Sequence, residues 1–220
     1  MGISAPGRHA GDMTTSTLPT RATAPRVDSP VVAARAAVAT DRVPQLALVA
    51  PLLLFTHGIL VWVDTIGVPD PADPAEARGS VLAVVAGGIL VLGVAGFASL
   101  AGTLASRSGR SELAVLVTLL GAFGAGAAAA VWALRSTGWL VDPLPSGLAT
   151  GGAVVTALAL GLALVVHTAE GRMPSGSLAL AGAAGAMLAL PLGLEPLGAL
   201  VLLIALAPLT HSTREPQHTP

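Results

Sequence analysis

The chain has 220 residues, of which 10% are charged and 53% are apolar, and its mean hydropathy is +0.78. Because a water-soluble domain carries roughly a quarter of its residues charged, the composition excludes an ordinary soluble domain. Eleven basic residues against 12 acidic ones leave a net charge of -1, so no bulk attraction for nucleic acid is expected. The absence of cysteine excludes disulfides, thiolate metal ligands and cysteine nucleophiles. Arginine is used in place of lysine throughout, and alanine, glycine, valine and leucine are abundant. This bias is typical of GC-rich bacterial genomes.

The first 44 residues form a separate region. It is dominated by proline, threonine, serine, alanine, glycine and arginine, and it contains no aromatic residue. It therefore lacks the side chains needed for a packed hydrophobic core. No apolar segment follows a basic start, which argues against a signal peptide. We therefore predict a disordered cytoplasmic tail over residues 1–44, with Met13 as an alternative start of the protein.

Four long apolar runs follow this tail. Each contains 20 to 26 residues and almost no charge; they cover residues 46–66, 80–105, 113–134 and 148–167. At about 1.5 Å of rise per helical residue, each is long enough to cross a hydrocarbon layer of roughly 30 Å. The sequence therefore predicts an all-α, polytopic integral membrane helix bundle, embedded in the lipid bilayer.

The last apolar stretch, residues 177–209, is too long for one straight span and is interrupted between Pro191 and Pro196. Gly193 suits a helix end, and Glu195 with Pro196 suits the first turn of a following helix. We predict two spans, over 175–192 and 195–209, giving six transmembrane helices and a short polar tail over 211–220. Two alternatives remain open: one long helix kinked at proline, which gives five spans, and a re-entrant pair of helices.

The arginines near the predicted spans set the orientation, since cytoplasmic loops are enriched in basic residues. Six arginines fall on one side and two on the other: Arg35, Arg42, Arg107, Arg110, Arg172 and Arg214 against Arg78 and Arg135. This distribution predicts a plasma-membrane protein with a cytoplasmic N-terminus. With six spans the C-terminus is cytoplasmic too, and the acidic loop over 68–78 is external.

Polar groups at hydrocarbon depth are the first candidates for chemistry, because burying them costs several kcal/mol unless they are paired. His57 lies near the middle of the first span, and Asp64 lies two turns further along the same face, next to Trp62. The pair is a candidate for ligand binding or a proton relay. The alternative is that His57 bonds to a neighbouring helix and that Asp64 marks the outer interface, where Trp62 anchors.

Glu195 is the third candidate, either as a titratable carboxylate inside the bundle or as an acidic residue at a helix start. His167, which ends the fourth span, is expected to be a solvated residue at the interface. The histidines and carboxylates show no spacing typical of a metal site, and no cofactor is implied.

Small residues at four-residue spacing suggest close helix packing in the fourth span. Gly147 and Gly151 form a GxxxG motif, and Ala157 and Gly161 continue the spacing. Packing within the chain is the first interpretation, and a face for a homo-oligomer is the second. Chance also produces such spacings in a chain rich in glycine and alanine.

These features predict a multi-pass membrane protein that is a non-catalytic accessory or structural subunit with a membrane-protein partner. The reason is that the second, third and fourth spans contain no carboxylate or arginine. A small transporter or channel using His57 and the Pro191–Pro196 break is the alternative. An intramembrane enzyme is a third hypothesis, and it requires several polar residues to converge.

Overall fold

The computed structural model describes residues 42–66, 81–139, 145–189 and 193–211. Most of the predicted N-terminal tail, the acidic loop over 68–78, Pro191 and nearly all of the C-terminal tail lie outside these residues. The described chain is helical and contains no strand, which confirms the all-α class.

Within the described residues there are six helices of 12 residues or more and a final short one. In chain order they are α1 (Arg42–Ile66), α2 (Val81–Arg107), α3 (Ser111–Ser136), α4 (Ser146–Ala169), α5 (Ser175–Ala189), α6 (Glu195–Leu206) and α7 (Pro208–His211). The largest difference from a predicted span is at α1, which begins at Arg42 rather than at residue 46.

Four of these helices are long and apolar enough to cross a membrane. The qualifying segments are Arg42–Asp64, Val81–Arg107, Ser111–Ser136 and Thr150–Ala169. Both α5, with 15 residues, and α6, with 12, are apolar but shorter. By length and composition, the protein is therefore a helical protein suited to a membrane.

Glycines let neighbouring helices approach closely. A Cβ added to Gly96 of α2 would lie 2.9 Å from Cβ of Ala50 in α1, and one added to Gly121 of α3 would lie 3.2 Å from Cα of Ala98 in α2. A closer approach joins α3 to α4, where a Cβ on Gly152 would lie 2.6 Å from the backbone nitrogen of Ala128. Since backbone cannot yield as a flexible side chain can, we expect Gly152 to tolerate no larger residue without a shift of the helices.

The chain reverses between α5 and α6. Gly193 has a φ of +67°, a conformation that favours glycine. Beyond the turn, a Cβ on Gly198 of α6 would lie 2.9 Å from Cγ of Leu188 and 3.2 Å from the carbonyl oxygen of Ala184, both in α5. The alternative of one long kinked helix over this stretch is therefore wrong, because a continuous helix cannot bring residues ten positions apart into contact.

The two ends of the bundle differ in composition. We call one the arginine end, since α1 begins there and α2 and α4 end there; its arginines are Arg42, Arg107, Arg110 and Arg172. We call the other the tryptophan end, with Trp62 and Trp139. Several of the largest fully buried side chains lie toward the arginine end: Val43, Leu100, Leu104, Leu164 and Leu206.

Candidate functional site

His57 joins two helices. Its Nδ1 lies 2.9 Å from the carbonyl oxygen of Ala86 in α2. Because a carbonyl oxygen can only accept, Nδ1 carries the proton and donates it, and Nε2 is an acceptor when the ring is neutral. The sequence left open whether this histidine serves packing or chemistry, and the geometry shows it in a contact between helices.

The start of α6 lies against the same part of α1. A Cβ on Gly58 would lie 3.0 Å from Cγ of Pro196. Glu195 is the first residue of α6, where a negative charge is favourable beside the positive end of the helix dipole. Its carboxylate is also within range of an electrostatic interaction with the His57 ring. The structure therefore brings two of the three predicted polar candidates together.

Asp64 occupies the last turn of α1, at the tryptophan end. Asp64 lies seven residues beyond His57 along α1, a rise of about 10 Å. Next to Asp64, Trp62 is 59% exposed, as expected for a residue at the membrane interface.

The small-residue pattern of α4 divides between two faces. Nothing in the described chain lies within 4 Å of a Cβ added to Gly151 or Gly161, and Ala157 is exposed. Gly147 lies in the first turn of α4, and its surroundings fall outside the described side chains. The close contact with α3 is made instead by Gly152, one residue beyond the predicted motif.

His167 is not the solvated residue that its place at the end of a span predicts. Its side chain is only 4% exposed, and its buried Nδ1 has no hydrogen-bond partner among the described residues. A buried polar group without a partner costs about 1–3 kcal/mol. The reason for the burial is tertiary: residues of α1, α2 and α7 line a cavity together with His167, an arrangement that hydropathy along α4 cannot reveal.

The loop after α4 folds back over His167. Arg172 Nη1 donates to the backbone carbonyl oxygen of Arg107 at 2.7 Å and lies 3.3 Å from Oε2 of Glu170. This arrangement places the charges of Arg107, Glu170 and Arg172 close enough to His167 for electrostatic interactions. No sequence pattern indicated this cluster, because Arg107 and Arg172 are separated by 65 positions.

No cluster of three or more histidine, aspartate or glutamate residues able to hold a metal ion exists within the described part of the chain. Comparison with known proteins finds no match to a family model, to a curated protein or to a solved structure. The fold and its site therefore define a class, a helical protein suited to a membrane, and the function must be argued from the geometry.

Proposed function

We propose that the protein is a multi-pass integral membrane protein that acts as a non-catalytic accessory or structural subunit. The observation that carries the proposal is the bond from His57 to the Ala86 carbonyl. A polar side chain at hydrocarbon depth is expensive unless it is satisfied, and here a neighbouring helix satisfies it. The most conspicuous polar group of the first span thus has a structural role.

The uncovered face of α4 also supports this proposal. Small residues allow helices to approach closely, and van der Waals contact then stabilises their association in lipid. Gly151, Ala157 and Gly161 face away from the close contact with α3. A helix of a membrane partner, or of a second copy of this chain, can use this face.

For the topology, we propose four crossing helices and a hairpin formed by α5 and α6. As helices of 15 and 12 residues, these two extend about 22 Å and about 18 Å, less than a hydrocarbon layer of roughly 30 Å. The contact of Pro196 with Gly58, eight residues before the end of α1, is consistent with a hairpin that turns within the membrane. These lengths favour the re-entrant alternative over six full crossings, and both topologies place the two termini on one side.

The accessory proposal is tested by purifying a C-terminally tagged full-length chain in mild detergent and identifying stoichiometric partners by mass spectrometry. We expect one membrane protein in a fixed ratio, and an Ala157→Leu variant should lower that ratio. Purification as a monomer, with no partner and no self-association in the native membrane after cross-linking, would contradict the proposal.

One observation favours a small transporter as a second candidate. Glu195 and His57 interact at a helix break, and transporters place ionisable groups and broken helices at such positions. Proteoliposomes with an internal pH-sensitive dye test this function. Proton flux that disappears in Glu195→Gln, while the protein remains folded and inserted, would support transport. Equal dye signals from wild-type and empty vesicles would reject proton movement.

A further inference from the structure

A cavity of about 360 Å³ opens at the arginine end. It is lined by Val43, Leu104, Arg107, His167, Arg172 and Leu209. Its volume falls in the range of roughly 300–1,000 Å³ that is typical of small-molecule sites. The lining thus combines two guanidinium groups and one imidazole with three apolar side chains.

The polar lining favours an anion. Among the described residues, the charged groups that line the cavity are the guanidinium groups of Arg107 and Arg172. The carboxylate of Glu170 does not line the cavity, but its Oε2 lies 3.3 Å from Arg172 Nη1 and partly offsets the charge of Arg172. The planar guanidinium fork matches the oxygen atoms of a phosphate group, to which it can donate two parallel hydrogen bonds. The chemistry therefore suits a phosphate group better than a neutral or cationic ligand.

The buried imidazole is a second, independent observation. His167 lines the cavity and is 4% exposed, and nothing in the described part of the chain forms a hydrogen bond with its Nδ1. When Nδ1 carries the proton, the ring can donate a hydrogen bond to a bound anion. A ligand that accepts a hydrogen bond from this ring would satisfy a group that the protein leaves without a partner.

The apolar lining adds a constraint on the ligand. Val43, Leu104 and Leu209 are each at most 5% exposed and come from α1, α2 and α7. Cationic groups beside an apolar wall, at the end of helices suited to a membrane, are the arrangement that an anionic lipid headgroup needs. We propose that this cavity binds a phosphate group, either that of an anionic lipid or free phosphate.

The two sources are distinguished by melting temperature, measured on the full-length protein in detergent. The probes are inorganic phosphate, dioctanoyl phosphatidic acid and, as the matched lipid without net charge, dioctanoyl phosphatidylcholine. A ligand that binds the folded protein raises its melting temperature in a concentration-dependent manner. A rise with both phosphate and phosphatidic acid would identify the phosphate group itself as the ligand, and a rise with phosphatidic acid alone would identify a lipid headgroup.

Charge-removing variants locate the site. Arg107→Gln and Arg172→Gln should each weaken binding about tenfold or more, since a hydrogen bond to a charged group is lost. Arg110→Gln is the matched control, because Arg110 follows the same helix but does not line the cavity. Arg107→Gln keeps the backbone carbonyl that Arg172 uses, so it tests binding even if Arg172→Gln fails to fold.

Two results would overturn the proposal. One is the same response to phosphatidic acid and phosphatidylcholine together with no response to phosphate. The other is an equal loss of binding in Arg110→Gln and Arg107→Gln, which would indicate attraction to a charged surface rather than binding in the cavity.

Discussion

Two histidines, the half-buried His57 and the buried His167, contrast two regions of the molecule. His57 packs where α1, α2 and the start of α6 meet, and its Nδ1 donates to a backbone carbonyl of a neighbouring helix. His167 is more deeply buried, yet its Nδ1 has no partner within the residues that the structure describes, and the ring lines a cavity with two arginines.

This difference shows how one residue type serves two purposes in one bundle. A satisfied histidine between helices stabilises their packing, because its hydrogen bond replaces those lost with water. A buried histidine without a partner lowers stability and is available to a ligand. The region around His57 is thus explained by packing, whereas the cavity at the arginine end is the place where we propose that a ligand binds.

In the packed region, we expect the largest loss of stability from a substitution at the contact between α3 and α4. In Gly152→Ala the new Cβ would lie 2.6 Å from the backbone nitrogen of Ala128 and from the carbonyl oxygen of Gly124. We expect a loss of about 1–3 kcal/mol in the free energy of unfolding, typical of overpacking. Reversible unfolding in detergent micelles measures it.

Gly151→Ala is the matched control, since it makes the same change one residue earlier, where a Cβ meets nothing within 4 Å. It should be neutral or slightly stabilising, because alanine is the better helix former by roughly 1 kcal/mol. Equal destabilisation by both substitutions would show that the contact between α3 and α4 is misassigned.

Replacing each of the two histidines by leucine tests directly whether His57 stabilises the bundle and His167 does not. His57→Leu removes the donor to Ala86 but keeps much of the volume, and should lower the free energy of unfolding by about 1 kcal/mol. His57→Gln retains an N–H donor and should lower the free energy of unfolding by less than His57→Leu does. Thermal unfolding of purified protein, without added phosphate or lipid, compares these variants.

His167→Leu should be neutral or stabilising in the same assay, because it removes a buried polar group that lacks a partner. The same variant should weaken the phosphate response of the cavity. A loss of stability as large as that of His57→Leu would mean that His167 is also a packing residue.

Ala157→Leu should have the smallest effect on the isolated chain. Ala157 is exposed on α4, so a larger side chain there displaces lipid rather than another part of the described bundle. We expect a change within about 0.5 kcal/mol, as for other exposed positions. If the stability of the monomer in detergent falls by several times this amount, the face of α4 that carries Ala157 packs against another part of the chain.

Hydropathy was sufficient to predict the class and the helix positions. Apolar runs separated by charged or proline-containing segments predicted α1 to α4 closely, and the Glu195–Pro196 pair predicted the start of α6. Such features are local, because a helix start and the length of an apolar run depend on neighbouring residues alone.

Rotation of the helices and the pairing of distant loops could not be predicted. Apolar residues surround α4 on all sides, so no stripe indicated that Gly152, rather than Gly151, faces α3. The cavity at the arginine end depends on four helices and on a loop that brings Arg172 to Arg107. Both features arise from tertiary packing, which a single sequence does not display.

The central claim is that the bundle crosses a membrane with its arginine end in the cytoplasm, and cysteine labelling tests it most directly. The chain has no cysteine, and Ser111 and Ser136 are exposed serines at opposite ends of α3. In intact cells, a membrane-impermeant thiol reagent should label Ser136→Cys and should reach Ser111→Cys only after permeabilisation. Labelling of Ser111→Cys alone in intact cells would show that the orientation is the reverse of the one we claim. Equal labelling of both variants in intact cells would contradict the claim that the bundle crosses a membrane.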